Sequence, residues 1–247
     1  MSQTVRRAID ILEFIARGPR TQTEVGDHLG VHRSTALRIL ESLTDGGLAR
    51  RLPDGRYAVG HRLAGLAQLA LEQFGLKEIA AGHLRALGEH SGHTVHLAAL
   101  EGEIVYVDKV DPVDGVRLYS QIGRPVTLHT AGVAKAILAH VPRASAEALL
   151  ATCDFAPHTG TTITDPAAYR KALDETRARG FAVDDGEYED YVNCVAVPVR
   201  DSGGEVIAAV SVTALKAKAD LAALERDVLP ELTATAQTIS RELGWRP

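Results

Sequence analysis

Two short helical patterns joined by a glycine constrain the fold of this chain most strongly. Thr21, followed three residues later by Glu24, is the pattern of a capping box and predicts a helix that continues to Leu29. Gly30 then supplies a turn into a second helix over 31–43. The second helix has an apolar stripe at helical spacing, formed by Ala36, Ile39, Leu40 and Leu43. Helix, glycine turn and helix together predict a helix-turn-helix unit.

The flanking sequence completes a small N-terminal domain over 1–60. Apolar residues at helical spacing predict a first helix that runs to about Arg17 and stops at Gly18. Ile11 and Phe14 lie off the main apolar face of this helix, either as extra core or as a dimer contact. After the unit, LARRLPDGRYAVG is typical of two short strands joined by a Pro-Asp-Gly turn. Three helices followed by a β-hairpin predict a winged helix-turn-helix.

The polar face of the second helix of the unit indicates what this domain binds. Ser34, Arg38 and Glu41 point away from the apolar stripe. A plain amphipathic helix with a solvated polar face would show the same pattern. The preceding helix and the following arginine-flanked wing favour docking in the major groove of DNA. The predicted DNA contacts lie at the helix N-terminus, on its polar face and in the wing: Arg33, Ser34, Thr35, Arg38, Arg51 and Arg56.

The charge distribution agrees with a DNA-binding N-terminal domain. All nine basic residues among the first 60 are arginines, against seven acidic residues, whereas the whole chain has a net charge of −5. The planar fork of arginine suits phosphate oxygens and guanine edges. The acidic remainder of the chain argues against nucleic-acid binding by the whole surface.

The rest of the 247-residue chain predicts a linker helix over 61–75 and a larger domain over 76–247. Helices are expected over 76–90, 131–141, 144–152, 165–179 and 220–243. Strands are expected over 94–100, 103–110, 116–122 and 181–184, and in a hairpin that pairs 193–199 with 205–212. This mixture predicts an α+β domain with a mainly antiparallel sheet.

Composition indicates a cytoplasmic protein without disulfides. No apolar run is long enough to cross a bilayer, and the N-terminus lacks the apolar core and cleavage site of a signal peptide. Cys153 and Cys194 lie far apart in a chain with enough aliphatic residues to build its own core, so both thiols are expected to be reduced. No cofactor is expected.

Two side-chain clusters suggest other chemistry, and neither is favoured. Three histidines recur at a spacing of three: His90, His93 and His96. Gly92 breaks the helix between them, which favours a solvent-facing or hydrogen-bonded set over a metal site. Cys194, His129 and Asp184 have the composition of a thiol-protease triad, but no local nucleophile motif accompanies the cysteine. We therefore expect no metal, no catalytic residue and no enzymatic activity.

The chain as a whole resembles the IclR family of bacterial transcriptional regulators. The resemblance is carried by VRRAIDILEFIARG and TEVGDHLGVHRSTALRILESL near the start, GRPVTLHTAGVAKAILA in the middle, and RGFAVDDGEYEDYVNCVAVPVRDSGGEVIAAVSVTA near the end. It implies a winged helix-turn-helix, a linker helix and a GAF-like effector-binding domain, assembled as dimers or tetramers. It also implies a regulator, expected to be a repressor, whose operator binding changes with a small-molecule effector. The alternatives are a regulator whose C-terminal domain only oligomerises and an enzyme with an appended DNA-binding domain.

The resemblance further implies which residues bind the effector. They are Leu118, Val126, Gly132, Val133, Asp184, Val192, Cys194, Ser211 and Thr213. The small residues that open the helix after His129 leave backbone N–H groups free for an anion, so we expect a small carboxylate. Because Asp184 would repel a simple anion unless it is protonated or accepts from a ligand hydroxyl, a hydroxy or keto acid is favoured.

Three positions depart from the pattern of the family, which usually has glycine where this chain has Ala134, Tyr191 and Ala214. Neutral drift outside the cavity is one interpretation. Since all three replace glycine near the implied pocket, we favour a cavity with altered or reduced volume.

Overall fold

The computed structural model describes residues 3–73, 75–112 and 118–246. Contacts between Cα atoms divide the chain into two compact units, with the boundary between Gly75 and Leu76. Each unit has its own hydrophobic core. Among the described residues, no helix is both long and apolar enough to span a bilayer.

The first unit consists of helices and one small sheet. Its described elements are α1 (Gln3–Ala16), α2 (Gln22–Leu29), α3 (Arg33–Asp45), β1 (Ala49–Arg51), β2 (Tyr57–Val59) and α4 (His61–Gln73). The predicted capping box is confirmed: the Thr21 hydroxyl accepts from the Glu24 N–H, and the Glu24 carboxylate accepts from the Thr21 N–H. Gly30 ends α2 in the left-handed conformation, at φ 62°, which glycine adopts without strain.

Helices α1, α2 and α3 and the small sheet share one core. The predicted stripe of α3 is buried there, and Ile11 of α1 is fully buried beside it. Ile11 therefore belongs to the core and is not a dimer contact. Phe14 packs at the edge of this core, with its ring stacked on His28 at a centroid distance of 4.1 Å.

The wing and the start of α4 contact the residues that follow α3. Strands β1 and β2 pair antiparallel, with Arg51 opposite Tyr57. Gly60 follows β2, and a Cβ atom there would lie 2.1 Å from the carbonyl oxygen of Gly47, so no other residue fits without a backbone shift. The Arg62 guanidinium donates to the Gly46 carbonyl at 2.9 Å. These contacts fix where α4 begins.

The second unit combines helices with a five-stranded antiparallel sheet. Its described helices are α5 (Leu76–Ser91), α6 (Gly132–Leu138), α7 (Arg143–Leu150), α8 (Pro166–Arg179), α9 (Leu221–Ala223) and α10 (Leu229–Glu242). Its strands are β3 (Thr94–Glu101), β4 (Glu103–Val110), β5 (Ala182–Asp184), β6 (Val192–Arg200) and β7 (Val206–Leu215), in the order β4-β3-β7-β6-β5. The predicted α+β class with a mainly antiparallel sheet is confirmed.

Alternation along the strands sends side chains to helices on both faces of this sheet. In β7, Val210 and Val212 pack with α5 and α10. Ala209, on the opposite face, packs with α6, α7 and α8. Small residues on the α6 face let that helix approach closely: a Cβ on Gly132 would lie 3.0 Å from the Cys194 sulfur.

The strand predicted over 116–122 is not present in its described part. Residues 113–117 lie outside the described residues, and 118–122 form turns and extended loop. Residues 123–126 line the β4 edge instead: the Arg124 carbonyl accepts from Tyr106 N–H, and Val126 N–H donates to Ile104. The apolar pattern predicted the strand a few residues too early.

The C-terminal helical segment contains a wide turn. Between α9 and α10, residues Leu224–Val228 form a π-helical segment in which the Leu229 N–H donates to the Leu224 carbonyl. Pro230 follows at once and has no N–H to donate to a carbonyl four residues earlier. The wide turn thus coincides with the position where a regular α-helix would lose a hydrogen bond.

Candidate nucleic-acid interface and ligand cavity

Helix α3 begins with a side-chain cap that the sequence analysis did not predict. His32 is the N-cap residue, and its Nδ1 lies 2.8 Å from the Ser34 hydroxyl and accepts from the Ser34 N–H at 3.3 Å. Arg33, Ser34 and Arg38 are exposed, whereas Thr35 is half-buried. The predicted reading face is therefore accessible, but in the free protein the Ser34 hydroxyl already has a partner.

The two predicted wing arginines differ in their surroundings. Arg51 is exposed in β1, and its guanidinium lies near Gly55 in the turn of the wing. Arg56 is also exposed, but it donates from Nε to Asp54 at 2.7 Å and forms an ion pair with the same carboxylate. A phosphate would have to compete with Asp54 for Arg56, so Arg51 is the better phosphate contact.

In the second unit, the antiparallel register of the sheet brings polar and small side chains into two neighbouring rows on the α6 face. Cys194 lies opposite both Asp184 of β5 and Thr213 of β7. In the next row, Ser211 of β7 lies opposite His96 of β3. Four strands therefore contribute to one patch.

This patch is the floor of a small, partly open cavity of about 50 Å³, which is bounded by α6 and by loop residues on either side of the sheet's end. All of the predicted effector residues line it except Val126: Leu118, Gly132, Val133, Asp184, Val192, Cys194, Ser211 and Thr213. Val126 is buried in the apolar core beside it. The volume exceeds that of one water several-fold and suits a ligand of a few non-hydrogen atoms.

The cavity wall also includes residues that sequence reasoning missed: His96, Tyr106, Tyr119, Ser120, Thr130, Ala131, Tyr188 and Glu189. Tyr119 and Tyr188 stack at 4.3 Å between ring centroids and form an aromatic wall. Strict alternation in β3 places His96 on the face opposite Val95 and Leu97, a signal from which its position could have been found. No comparable pattern marks the loop residues.

A lysine from β4 holds the loop that carries part of this wall. The Lys109 ammonium donates to the carbonyls of Leu118 and Ser120, at 2.9 and 3.2 Å, and forms an ion pair with Asp111. His96 Nε2 lies 2.7 Å from the Ser120 hydroxyl. The loop is thus fixed from two strands.

Burial shifts the ionisable groups of the cavity toward their neutral forms. It raises the pKa of the Asp184 carboxyl, although nearby Lys135 lowers it in part. Burial also lowers the pKa of His96 to about 3 and raises that of the Cys194 thiol to about 12. At neutral pH, His96 is therefore uncharged, and Cys194 is a thiol with little nucleophilic character.

A buried ion pair lies behind the cavity. Lys135 of α6 donates to the Val183 carbonyl at 3.0 Å and pairs with the Glu187 carboxylate, and both side chains are buried. Burial raises the pKa of Glu187 to about 7, with Lys135 opposing the shift. Glu187 also donates its N–H to Asp184 Oδ1 at 2.7 Å, which links the pair to the cavity.

None of the three residues that replace glycine is among the residues that line the cavity, so the structure gives no support to the expectation that they alter or reduce its volume. Ala134 is fully buried in the core between α6 and its neighbours, and Ala214 belongs to the core on the other side of the sheet. Tyr191 is 48% exposed and donates its hydroxyl to Glu189.

Cys194, His129 and Asp184 do not form a catalytic triad in the structure. Asp184 and Cys194 are neighbours across β5 and β6, but His129 points its Nδ1 toward Cys153, with the sulfur at 3.4 Å. Of the three spaced histidines, His90 is exposed, His93 is half-buried and His96 is hydrogen-bonded in the cavity. Both cysteines are free thiols, as predicted.

The fold and these two sites define a winged helix-turn-helix protein with a separate domain that holds a small, partly polar cavity. Comparison with known proteins agrees. Residues 4–53 match the model of the IclR helix-turn-helix domain, and residues 68–241 match that of the bacterial transcriptional regulator IclR C-terminal domain. The chain belongs to the IclR family of bacterial transcriptional regulators.

Similar proteins match over most of the chain. The HTH-type transcriptional regulator XynR of Escherichia coli is 32% identical over 98% of both chains, and the transcriptional repressor IclR of the same organism is 30% identical over 85% of this chain and 79% of its own. The crystal structure of Thermotoga maritima IclR has 32% identity and a TM-score of 0.64, covering 98% of this chain and 99% of its own. The Agobacterium tumefaciens repressor BlcR shares the fold at 24% identity, with a TM-score of 0.80 and coverage of 98% and 97%.

Proposed function

We propose that this chain is a repressor that binds operator DNA through α3 and the wing, and that a small organic acid in the cavity changes its affinity for that DNA. The observation that carries the proposal is the small, partly open and partly polar cavity on the α6 face of the sheet. A domain that served only to join copies of the chain would have no use for such a cavity. We propose further that the protein is not an enzyme and acts as a dimer or tetramer.

Arg38 and Arg51 support the DNA-binding part of the proposal. Both side chains are exposed, one in the middle of the α3 polar face and the other in the wing. Arg38 is long enough to reach a base edge, and Arg51 suits a phosphate.

The donors around the cavity support a small acid. Four residues with hydroxyl groups line it, namely Ser211, Thr213, Ser120 and Thr130, although the Ser120 hydroxyl pairs with His96 and the Thr130 hydroxyl donates to the Thr127 carbonyl. In the described part of the chain, no side chain caps the N-terminus of α6 at Ala131. Hydroxyl and free N–H donors suit carboxylate and keto oxygens. The cavity volume of about 50 Å³ favours a small ligand.

Asp184 determines which acid is favoured. No Lys or Arg is present among the described residues that line the cavity, so an ionised Asp184 would repel a carboxylate. Because burial raises its pKa, Asp184 can take up a proton together with the ligand, or accept from a ligand hydroxyl. We therefore propose a hydroxy or keto acid.

Calorimetric titration with small keto, hydroxy and aromatic acids tests the ligand class, followed by operator binding with and without each ligand. Ser211→Ala removes a cavity donor, and Gly132→Val fills space against Cys194. Ser211→Ala should weaken acid binding about 10-fold, which corresponds to one lost hydrogen bond of about 1.4 kcal/mol. Gly132→Val should weaken it at least as much, because the added side chain occupies space beside Cys194. Ser145→Ala, on the exposed face of α7, is the matched control.

Three results would reject the cavity assignment. The first is binding of neutral or cationic compounds alone, and the second is binding of acids by both variants as tightly as by the parent protein. The third is an operator affinity that is the same with and without the bound acid. Thermal unfolding with each compound is a further test, because a ligand that binds the native state must stabilise it. If no compound raises the melting temperature, the alternative of a domain that only oligomerises is favoured.

A further inference from the structure

Three potential metal ligands from two separate segments meet beside the loop that follows α7. A ring nitrogen of His129, the sulfur of Cys153 and a carboxylate oxygen of Asp154 all lie within 4.8 Å of one another. None of them lines the ligand cavity described above. We propose that His129, Cys153 and Asp154 bind one Zn²⁺ or a similar first-row transition-metal ion.

The hydrogen bonds of His129 prepare its ring for a metal. Its Nε2 lies 2.9 Å from the carbonyl oxygen of Ala156, which can only accept, so Nε2 carries the proton. Nδ1 therefore has a free electron pair and faces Cys153. Histidines that bind metals commonly donate their other ring N–H to a carbonyl in this way.

The distance between the two strongest ligands fits a shared ion. The His129 Nδ1 and the Cys153 sulfur are 3.4 Å apart. Two ligands at the usual Zn–N and Zn–S distances, about 2.0 and 2.3 Å, are about 3.5 Å apart in tetrahedral geometry. A metal can therefore replace the thiol proton between these atoms with little movement of either side chain.

Asp154 completes the set from the solvent side. It is exposed, and one of its carboxylate oxygens accepts from the Ala156 N–H at 3.1 Å, so the segment 154–156 is already turned toward His129. A rotation of its side chain can bring a carboxylate oxygen to the ion. A water molecule from the solvent would supply the fourth ligand.

The backbone holds these ligands together without a metal. Phe155, between Asp154 and Ala156, has φ 50°, a left-handed conformation that costs a bulky residue free energy. Its ring packs edge-on against Tyr169 and next to His129, and these contacts keep the strained conformation in place. Strain of this kind is common where a loop must present side chains to a site.

The ligand types select the class of metal. One imidazole, one thiolate and one carboxylate suit Zn²⁺ and related transition metals, whereas Ca²⁺ and Mg²⁺ prefer oxygen ligands alone. The thiol must lose its proton when the ion binds, so metal binding should release protons. His129 directly precedes Thr130 and Ala131 in the cavity wall, so an ion here would restrain that wall.

Cobalt substitution of the full-length, reduced and chelator-treated protein tests the proposal. Co²⁺ bound to a thiolate gives a charge-transfer absorption in the near ultraviolet, and Zn²⁺ should displace it. Cys153→Ser should abolish this absorption, and Cys194→Ser, which removes the other thiol, should keep it. His129→Gln keeps a hydrogen-bond donor for the Ala156 carbonyl but removes the Nδ1 ligand. It should weaken Zn²⁺ binding by about 100-fold or more, because loss of a residue that only hydrogen-bonds to a metal ligand already costs about 10–100-fold.

Circular dichroism of each variant shows whether the fold is retained, and Asp154→Asn, an exposed and nearly isosteric change, provides a second test of the ligand set. Absence of the thiolate absorption in the parent protein would overturn the proposal and leave a hydrogen-bonded thiol and imidazole. Its loss in Cys194→Ser but not in Cys153→Ser would place the ion in the cavity and also overturn it.

Discussion

Arginines of the first unit differ in how freely they can bind DNA. Arg38 projects from the middle of α3, while Arg56 is already paired with Asp54 in the turn of the wing. A charge that has a partner in the free protein must break that contact before it neutralises a phosphate. Arg56→Ala is therefore expected to weaken DNA binding less than Arg51→Ala does.

The first prediction separates base contacts from phosphate contacts. If Arg38 makes the proposed base contact, Arg38→Ala should remove about 1–3 kcal/mol of discrimination between operator and unrelated DNA. Arg51→Ala should weaken binding to both DNAs equally and reduce the slope of log affinity against log salt by about one. Titrations at several salt concentrations measure both effects. Full discrimination by Arg38→Ala would show that another face of α3 reads the bases.

The second prediction concerns the buried His96. Its pKa in the folded protein, about 3, lies below the ordinary value of 6.5 because burial disfavours the imidazolium and Lys109 repels it. Between pH 6.5 and 3 the unfolded chain binds a proton here that the folded chain does not, so stability falls as the pH falls through this window.

Urea unfolding of His96→Gln at several pH values measures this contribution. The variant should lose less stability than the parent between pH 6.5 and pH 4.5, and His90→Gln controls for the removal of one exposed imidazole. Identical pH profiles for His96→Gln and the parent would show that His96 is not kept neutral by the fold.

At the scale of elements, α6 combines close packing with a buried charge. All seven of its residues are buried, including Lys135, whose ammonium has a carbonyl and a carboxylate as partners. Removing one ion of such a pair leaves the other charge buried without a partner of opposite sign, while replacing both with apolar residues creates an apolar contact.

The third prediction follows from this pairing. Glu187→Met should destabilise the protein by about 3–5 kcal/mol, and the double variant Lys135→Met/Glu187→Met should recover most of that loss. The exposed pair Lys171 and Glu175 on α8 is the matched control, and its double replacement should change stability by less than about 1 kcal/mol. Equilibrium unfolding in urea of the parent, the single variants Lys135→Met and Glu187→Met, the double variant and the control measures these changes. Additive losses for Lys135 and Glu187 would contradict the coupling.

Elements with strong local signals were predictable, whereas contacts between elements were not. The capping box at Thr21 and the hairpin of β6 and β7 were predicted from the sequence and are confirmed. The strand predicted over 116–122 is absent from its described part, 118–122, because apolar residues alone do not show which segment pairs with the β4 edge. Ala134 and Ala214 look similar in sequence but lie on opposite sides of the sheet.

At the scale of the whole molecule, two helices of the first unit leave large apolar side chains uncovered. Val5 and Ile9, one turn apart on α1, are 51% and 43% exposed. Leu66 and Leu69 on α4 are 47% and 54% exposed. A DNA-binding domain that reads only a few base pairs gains specificity when two copies bind paired half-sites. These surfaces, rather than Ile11, are our candidates for the contact between copies.

The fourth prediction tests assembly. Val5→Glu/Ile9→Glu should shift the protein toward monomers in sedimentation experiments at micromolar concentration and weaken operator binding, because two charges would be buried in the interface. Arg17→Glu, at an exposed position after the end of α1, is the control for sedimentation and should leave the assembly state unchanged. Monomers in the parent protein with and without operator would reject assembly altogether.

The residues at the β4 edge affect how copies of the second unit can meet. The Arg124 carbonyl and the Val126 N–H both form hydrogen bonds with β4, so the backbone nitrogen of Pro125 between them faces away from β4. A proline nitrogen carries no hydrogen. Another strand approaching there would find no donor, which protects the sheet against edge-to-edge addition and aggregation. Copies that associate through this unit are therefore expected to meet through helices or loops rather than by extending the sheet at β4.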